Sequence, residues 1–472
     1  MKLSTKIAYN TIVQVGGKVI STALGLITIA LITRQLGAYG FGEYTTIITY
    51  LSFFAIFADL GLTLVTVQMI SAKNADENGI LSNLFTLRLV TAIVFLCFAP
   101  AIIYFLPYTP SVKMGALIGV LTFLFPALNQ ILIGVFQKYL RMDKDVLAEV
   151  VGRVVLLAGV VLGIFLGCGL YGVMLSMAAS SLVNFLLHYI FSRKFVRIRL
   201  TFSPWIWKEI ITRSWPLAIT ITFNLIYLKT DTLILSLLKS PSDVGIYGAS
   251  YKIIEVASTI PFMFAGIILP ILTESWSDGD ARRYKHVMQR SFDVMLLFAL
   301  PLIVGTQFVA RDVILLVAGP EFAASGDVLR ILIIATGGIF IGCMPAHGLI
   351  AVEKQKKAIP AYIFTAISSL AGYLIFIPLY SYIGAAWVTV YSETVISLIL
   401  LYQAKKYSGF LPNLGMFWKI MLATTTMAAA LSLLPDLNIV LTILIGAIIY
   451  GLVLFVTGGI SKEMLKDLIN RN

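Results

Sequence analysis

The chain has 472 residues, 59% of them apolar or aromatic and 12% charged, with a mean hydropathy of +0.94. A soluble domain carries about twice that charged fraction, so the sequence cannot coat a soluble surface of its size; at ~20 residues per span there is room for well over ten spans, which excludes a membrane-anchored soluble enzyme. The net charge of +12 suits either a nucleic-acid partner or loops that obey the positive-inside rule, and the placement of the basic residues decides between them.

The chain starts MKLSTKIAYNTIVQVGGKVI, a basic segment whose apolar run continues to Leu36 without a small-residue cleavage pattern, so it reads as a retained first span. Apolar runs between polar breaks give fourteen expected spans. In the first half they cover residues 8–33, 44–70, 82–106, 112–136, 146–166 and 170–191. The next six cover 214–238, 244–272, 287–309, 328–352, 359–380 and 385–403. A last pair covers 417–434 and 439–458. The expected fold class is thus an all-α polytopic membrane protein of about fourteen transmembrane helices.

The basic residues gather at the N-terminus, in the connections after even-numbered spans and at the C-terminus. The connections after odd-numbered spans hold only Arg34, Lys113, Lys239 and Arg311. That asymmetry puts both termini in the cytoplasm and argues for an even number of spans. The excess charge therefore reports orientation, and no nucleic-acid partner is expected. The longest interior loop, SRKFVRIRLTFSPWIWKEIITR (192–213), is strongly basic and holds Trp205 and Trp207, which favour the headgroup level. It reads as an amphipathic cytoplasmic linker or as a plain cytoplasmic loop.

The halves on either side of this linker repeat weakly. LGAYGFGEYTTIITY (36–50) is echoed by KSPSDVGIYGASYKI (239–253), with Gly42 and Tyr44 opposite Gly245 and Tyr247. GLYGVMLSMAASSLVNFLL (169–187) is echoed by SYIGAAWVTVYSETVISLIL (381–400), with Gly172 opposite Gly384. Six spans per copy give both copies one orientation.

No catalytic signature is present. Gly16-Gly17-Lys18 lacks the rest of a phosphate-binding loop, and no GxSxG elbow occurs. His188, His286 and His347 are widely spaced, as are Cys97, Cys168 and Cys343, so neither a metal site, a cofactor nor a disulfide framework is expected. What remains are ionisable residues inside the spans, where they are costly and usually face a cavity or a partner. The bases are Lys18, Arg88, Arg153, Lys229, Lys252 and Arg330; the acids are Asp59, Glu149, Asp231, Glu255, Asp293 and Glu393. Helical spacing places Glu149 with Arg153, and Lys252 with Glu255, as local salt bridges. Lys18, Asp59, Arg88, Lys229, Asp231 and Glu393 have no such partner, so each either bridges between helices or serves a transport path. Prolines in or at the ends of spans, such as Pro126, Pro261 and Pro345, suit kinked helices that rock between two states.

The stretch ITRQLGAYGFGEYTTI after span 1, FADLGL (57–62) in span 2 and YLKTDTLILSLLKSPSDVGIYGASYKI in the second half resemble the polysaccharide transporter family of the MOP flippase superfamily, the Wzx-type O-antigen and exopolysaccharide flippases. The resemblance covers essentially the whole chain. It implies two six-helix lobes, 1–191 and 214–404, joined by the linker 192–213 and followed by a helix pair and tail in 405–472. It also implies a polar cavity between the lobes. The implied activity is translocation of a polyprenyl-diphosphate-linked oligosaccharide from the cytoplasmic to the outer leaflet of the plasma membrane, by alternating access. The implied partners are the lipid-linked glycan, the bilayer, and the glycan polymerase and glycosyltransferases of the same pathway.

On this resemblance Lys18, Arg88, Lys229, Lys252 and Arg330 are candidates to bind the diphosphate. Asp59 and Asp231 match the family's acids in spans 2 and 7; with Glu255 and Glu393 they are candidates for bridging or ion coupling. The balance of six bases against six acids departs from the cationic cavity associated with the family. The alternatives are a cation-coupled MATE-type multidrug exporter, usually of twelve spans, a lipid II flippase of the same superfamily, whose span 2 motif has no close match here, and a polytopic glycan polymerase or ligase. The last needs a large outer loop, whereas the longest here, 310–327, is too short for a soluble domain.

Overall fold

The computed structural model describes residues 3–59, 62, 66, 69–70, 76–434 and 437–459, with side chains at all of these except 3–9, 11 and 216–228. Among the described residues there are twelve α-helices and no strand. They are α1 (Leu3–Asp59), α2 (Glu77–Tyr104), α3 (Pro110–Lys138), α4 (Met142–Phe165), α5 (Gly169–Ser192), α6 (Pro204–Leu238), α7 (Pro241–Ser277), α8 (Ala281–Val317), α9 (Ser325–Ala351), α10 (Ile359–Ser408), α11 (Gly415–Leu433) and α12 (Ile439–Val456). Eleven helices of the described chain are long and apolar enough to cross a membrane.

Two helices each carry two of the expected spans. α1 bends at Gly37, whose φ of 62° and ψ of −176° suit glycine, and α10 bends at Ser381, with φ of 50° and ψ of −134°. With those bends as divisions, the described residues of the fourteen expected spans fall mostly on helical segments; within 44–70, residues 60–61, 63–65 and 67–68 lie outside the described residues. Ends are marked by local chemistry. Asp76 caps α2 by accepting from the Gly79 N–H at 3.1 Å, Thr109 and Pro110 start α3, and Asn438 accepts from the Val440 N–H at 2.9 Å to start α12. The expected outer loop 310–327 is mostly helical: α8 runs to Val317, a short 3₁₀ turn covers Pro320–Phe322, and α9 begins at Ser325.

The chain divides into two compact units, one of Met1–Gly248 with Val317–Glu321 and one of Ala249–Leu316 with Phe322–Asn472. The core of the first unit packs Leu81, Leu84 and Phe85 of α2 against Ile131 and Val135 of α3, closed by Val196 and Ile210 from the linker and α6. The second unit is centred on α8 and α9, where Phe292, Met295 and Phe340 are buried together with Ile420 of α11 and Leu454 of α12. The C-terminal pair is thus part of that core. α9 is heavily enclosed, whereas most of α12 is exposed.

Polar contacts between connections respect parity. At one end of the first unit, connections after odd-numbered spans meet: Glu321 accepts from the Ala38 N–H at 3.2 Å, Glu43 accepts from Thr109 at 2.6 Å, and Tyr108 bonds Ser236 at 2.8 Å. Even-numbered connections meet one another elsewhere, as where Asn10 bonds the Leu140 carbonyl and the Met142 N–H, each at 2.8 Å, and Lys138 pairs with Glu77 at 2.7 Å. In the second unit Gln289 and Asn413, and Gln403 and Lys357, keep the same rule. Spans that each cross once produce this segregation.

The first repeat has a counterpart in contact. The turns carrying Gly42 and Gly245 cross backbone to backbone: a Cβ on Gly42 would lie 1.6 Å from the Pro241 oxygen, and one on Gly245 would lie 2.0 Å from the Ala38 oxygen. Each glycine meets the carbonyl four residues before the other, the reciprocity a local two-fold relation produces. The second repeat shows a similar division of labour. Gly172 opens α5 against Gly163 of α4, and Gly384 opens the second half of α10 against the Phe376 carbonyl.

Candidate functional site

In the first unit, Asp59 closes α1 and Arg88 lies three turns into α2. They form an ion pair, and the Arg88 Nε also donates to the Ala127 carbonyl of α3 at 3.0 Å. Arg88 is 3% exposed and Asp59 has 15% of its side chain exposed, so this is an enclosed interhelical bridge. Ala58, Ala92 and Ala127 surround it, and Thr91 donates to the Ala58 carbonyl at 2.9 Å. Small side chains let three helices close around the guanidinium, whose remaining donors need acceptors wherever water is scarce. The Asp of FADLGL is therefore anchored by Arg88.

Lys18 is half-buried on α1, with no ion pair among the described residues. Lys229 is half-buried on α6, two residues before Asp231, on which it acts electrostatically. Asp231 is 1% exposed and accepts from the Tyr247 hydroxyl at 2.6 Å and from the Thr232 N–H at 2.5 Å. Tyr247 is the tyrosine paired with Tyr44 in the repeat.

In the second unit Lys252 and Glu255 form the expected i,i+3 bridge at 2.7 Å. Arg330 is turned toward its own helix, donating to Asp327 at 3.1 Å and to the Gln307 carbonyl of α8 at 3.1 Å. Glu393 is buried on α10 against Gly338 of α9. The five candidate cations are thus divided, Lys18, Arg88 and Lys229 in one unit and Lys252 and Arg330 in the other.

One expected pair is absent. Glu149 and Arg153 share a face of α4, yet no ion pair joins them among the described residues. The neighbouring carboxylate, Asp145, instead bonds His188 of α5 at 2.9 Å, and the other ring nitrogen of His188 lies 2.8 Å from the Asn184 carbonyl. Asn184 accepts from Asn129 of α3 at 2.5 Å, so a polar chain crosses three helices. Spacing along one helix finds i,i+4 partners only; the His188 pairing spans 43 residues, and its sole sequence signal is a lone histidine in an apolar helix. Glu43 is likewise buried, against Thr109 and Ser111 at the start of α3, and its sequence gives no sign of it because it stands in a turn-like glycine-rich segment. Near the opposite end, Glu77 accepts from the Tyr139 hydroxyl at 2.7 Å, which raises that phenol above its ordinary pKa.

The model of a family described as polysaccharide biosynthesis protein matches residues 7–276, and that of MatE matches residues 216–377. A probable flippase, AglR, from Haloferax volcanii is 22% identical over 256 residues, 52% of this chain and 54% of that protein, so the chain spans about half the length of the curated relative it matches. Among solved structures, the lipid II flippase MurJ in an inward closed conformation is similar with a TM-score of 0.79 and 16% identity, over 96% of this chain and 99% of that one. An inward-facing multidrug resistance MATE family transporter of the MOP superfamily gives 0.69 and 14%, over 84% of this chain and 98% of that one. At these identities the likeness is one of fold, and the fold is the MOP type. A polytopic helical chain with charges held inside its spans, matched over residues 7–276, belongs to the family described as polysaccharide biosynthesis protein.

Proposed function

We propose that the chain is a flippase that moves a polyprenyl-diphosphate-linked oligosaccharide from the cytoplasmic to the outer leaflet by alternating access, for cell-surface polysaccharide biosynthesis. The observation that carries this reading is the family match over 7–276 on a chain that keeps cations within its apolar helices. A charge there costs several kcal/mol unless it is partnered or serves a path. The diphosphate needs cations and a wet route, whereas a polyprenyl tail can stay in lipid.

On this reading Lys18 and Lys229 meet the diphosphate, and Arg88 and Lys252 exchange their carboxylates for it. Arg330, already held by Asp327 and the Gln307 carbonyl, has the weakest case. Asp59, Asp231, Glu255 and Glu393 hold the cations while the site is empty or couple to an ion. The two lobes are 1–191 and 214–404, joined by 192–213 and followed by 405–472. The site of action is the plasma membrane with both termini cytoplasmic, beside the polymerase and glycosyltransferases that use and make the substrate.

A second reading, a cation-coupled MATE-type exporter, is favoured by the MatE match over 216–377. Against it stands the extent of the fold, since the MATE structure covers 84% of the chain and the MurJ structure 96%; the shortfall is comparable to the segment holding α11 and α12. Deletion of the gene tests both. Lipid-linked repeat units trapped on the cytoplasmic face are the expected result. Their normal appearance outside, with lost drug resistance, overturns the flippase. Asp59→Asn and Lys229→Ala should each impair complementation at normal membrane levels; unchanged function in both would remove the roles given to these residues.

A further inference from the structure

The linker after α5 has a conformation that its sequence does not announce. Residues 196–203 are extended and lie along α2, and alternate backbone N–H groups donate to side chains of that helix. Arg197 bonds Asn78 at 2.9 Å, Arg199 bonds Ser82 at 3.0 Å, Thr201 bonds Thr86 at 3.0 Å, and Ser203 returns to Asn83 at 2.8 Å. The match is geometric: four residues of helix rise ~6 Å and two residues of extended chain advance ~6.6 Å, so Asn78, Ser82 and Thr86 meet every second N–H. The strap therefore runs from the first turn of α2 toward the interior of its span.

The alternation sorts the side chains. Val196 is buried and Ile198 packs against the same core, while Arg197 and Arg199 point away and are exposed. Farther along α2, Leu200 is 67% exposed and Phe202 66%, and Trp205 in the first turn of α6 is 77% exposed. Lys208 and Trp215 continue the exposed side of α6, whereas Ile210 is buried. Arg197 and Arg199 thus stand at the end of the strap beside the first turn of α2, Leu200, Phe202 and Trp205 follow one or two steps along, and Lys208 adds a cation on α6, a mixture of charge and large apolar groups that suits a headgroup and acyl boundary. Glu209 is committed to Arg213 at 2.6 Å, and no carboxylate pairs with Arg197, Arg199 or Lys208 among the described residues.

We propose that this strap is a binding surface for anionic phospholipid headgroups of the leaflet on its side of the membrane. Charge complementarity selects that occupant. A second copy of the chain would bring like charges together, and an acidic soluble protein would leave Leu200, Phe202 and Trp205 uncovered by lipid. The proposal rests on the membrane orientation given under Proposed function, but not on transport.

The test uses the full chain in phosphatidylcholine vesicles that carry brominated phosphatidylglycerol or brominated phosphatidylcholine. Quenching of tryptophan emission is compared between the native chain and its Trp205→Phe/Trp215→Phe variant, the difference being the share of the strap. The brominated anionic lipid is expected to quench that share at lower mole fraction than the brominated zwitterionic lipid. Each cation near an anionic surface contributes roughly a five-fold preference, so R197Q/R199Q/K208Q should bring the two lipids close to parity, whereas R197K/R199K should keep the preference. Parity in the native chain, or a preference unmoved by the triple substitution, overturns the proposal. So does a strap quenched by aqueous iodide and by neither lipid, the result for an acidic protein or a second copy. Because the readout is lipid contact, a negative result leaves the flippase reading standing, and a failed deletion test leaves the strap standing.

Discussion

Gly42→Ala is expected to destabilise the chain by forcing apart two backbones that now touch. The added methyl would sit 1.6 Å from the Pro241 oxygen and 3.0 Å from the Gly245 nitrogen, and neither can swing aside as a side chain could. Reaching even 3.0 Å, the shortest separation that real Cβ contacts tolerate, means parting α1 and α7 by more than an ångström at their crossing. Overpacking of this kind costs ~1–3 kcal/mol, and the better helix propensity of alanine returns roughly 0.5–1 kcal/mol. The difference is a net loss of up to about 2.5 kcal/mol, centred on ~1 kcal/mol. Gly245→Ala should cost a similar amount, its methyl being 2.0 Å from the Ala38 oxygen. Because the first methyl opens room for the second, the double variant should lose less than the two single losses combined. The assay is thermal unfolding of the purified chain in one detergent, with Gly25→Ala and Gly266→Ala as controls, since a Cβ on either meets nothing within 4 Å. If Gly42→Ala melts with the controls, the close crossing is not a feature of the protein in solution.

Breaking the enclosed bridge by Arg88→Gln should cost ~3–5 kcal/mol, because the carboxylate of Asp59 loses the guanidinium that faces it in the ion pair; pairing it with Asp59→Asn should recover part of that loss, measured by the yield of folded protein across the double-mutant cycle. Ser381→Gly should stabilise by about 1 kcal/mol, since Ser381 holds a φ of 50° that glycine adopts without strain, and a lower melting temperature would count against the bend. Replacing Ser82 and Asn83 with Ala removes two of the four hydrogen bonds of the strap, each contributing ~0.5–1.5 kcal/mol. Trypsin should then cut faster at Arg197 and Arg199, while an unchanged rate would mean that the strap is held by its apolar side alone.

The parts of this protein that depend on local composition were legible without a structure. Fourteen apolar runs were recoverable because ~20 apolar residues in a row have no other stable use, and the described residues of those runs are mostly helical. The bends were not. Nothing in RQLGAYGFGE distinguishes a loop from a helix that kinks at Gly37, because the choice is made by what packs on the turn, here Glu321, which lies 283 residues beyond Ala38. The Lys252–Glu255 bridge was readable from i,i+3 spacing. Glu149 with Arg153 had equally good spacing, yet no ion pair joins them among the described residues, since a helix face decides only which residues are near and the third dimension decides which are joined.

Sequence by itself determined that the chain is a polytopic membrane protein, that its basic residues gather in alternate connections, and that a dozen charges remain inside the spans. These follow from the energetics of single segments in lipid, which each stretch carries within itself. Tertiary structure alone decided that Asp59 answers to Arg88, Asp231 to Tyr247 and Asp145 to His188, that two repeated glycines face one another, and that a basic linker is strapped to α2. Each of those depends on which helices are neighbours, and in a chain of apolar helices that choice is made by small residues and isolated polar groups too sparse to be paired by eye along the sequence.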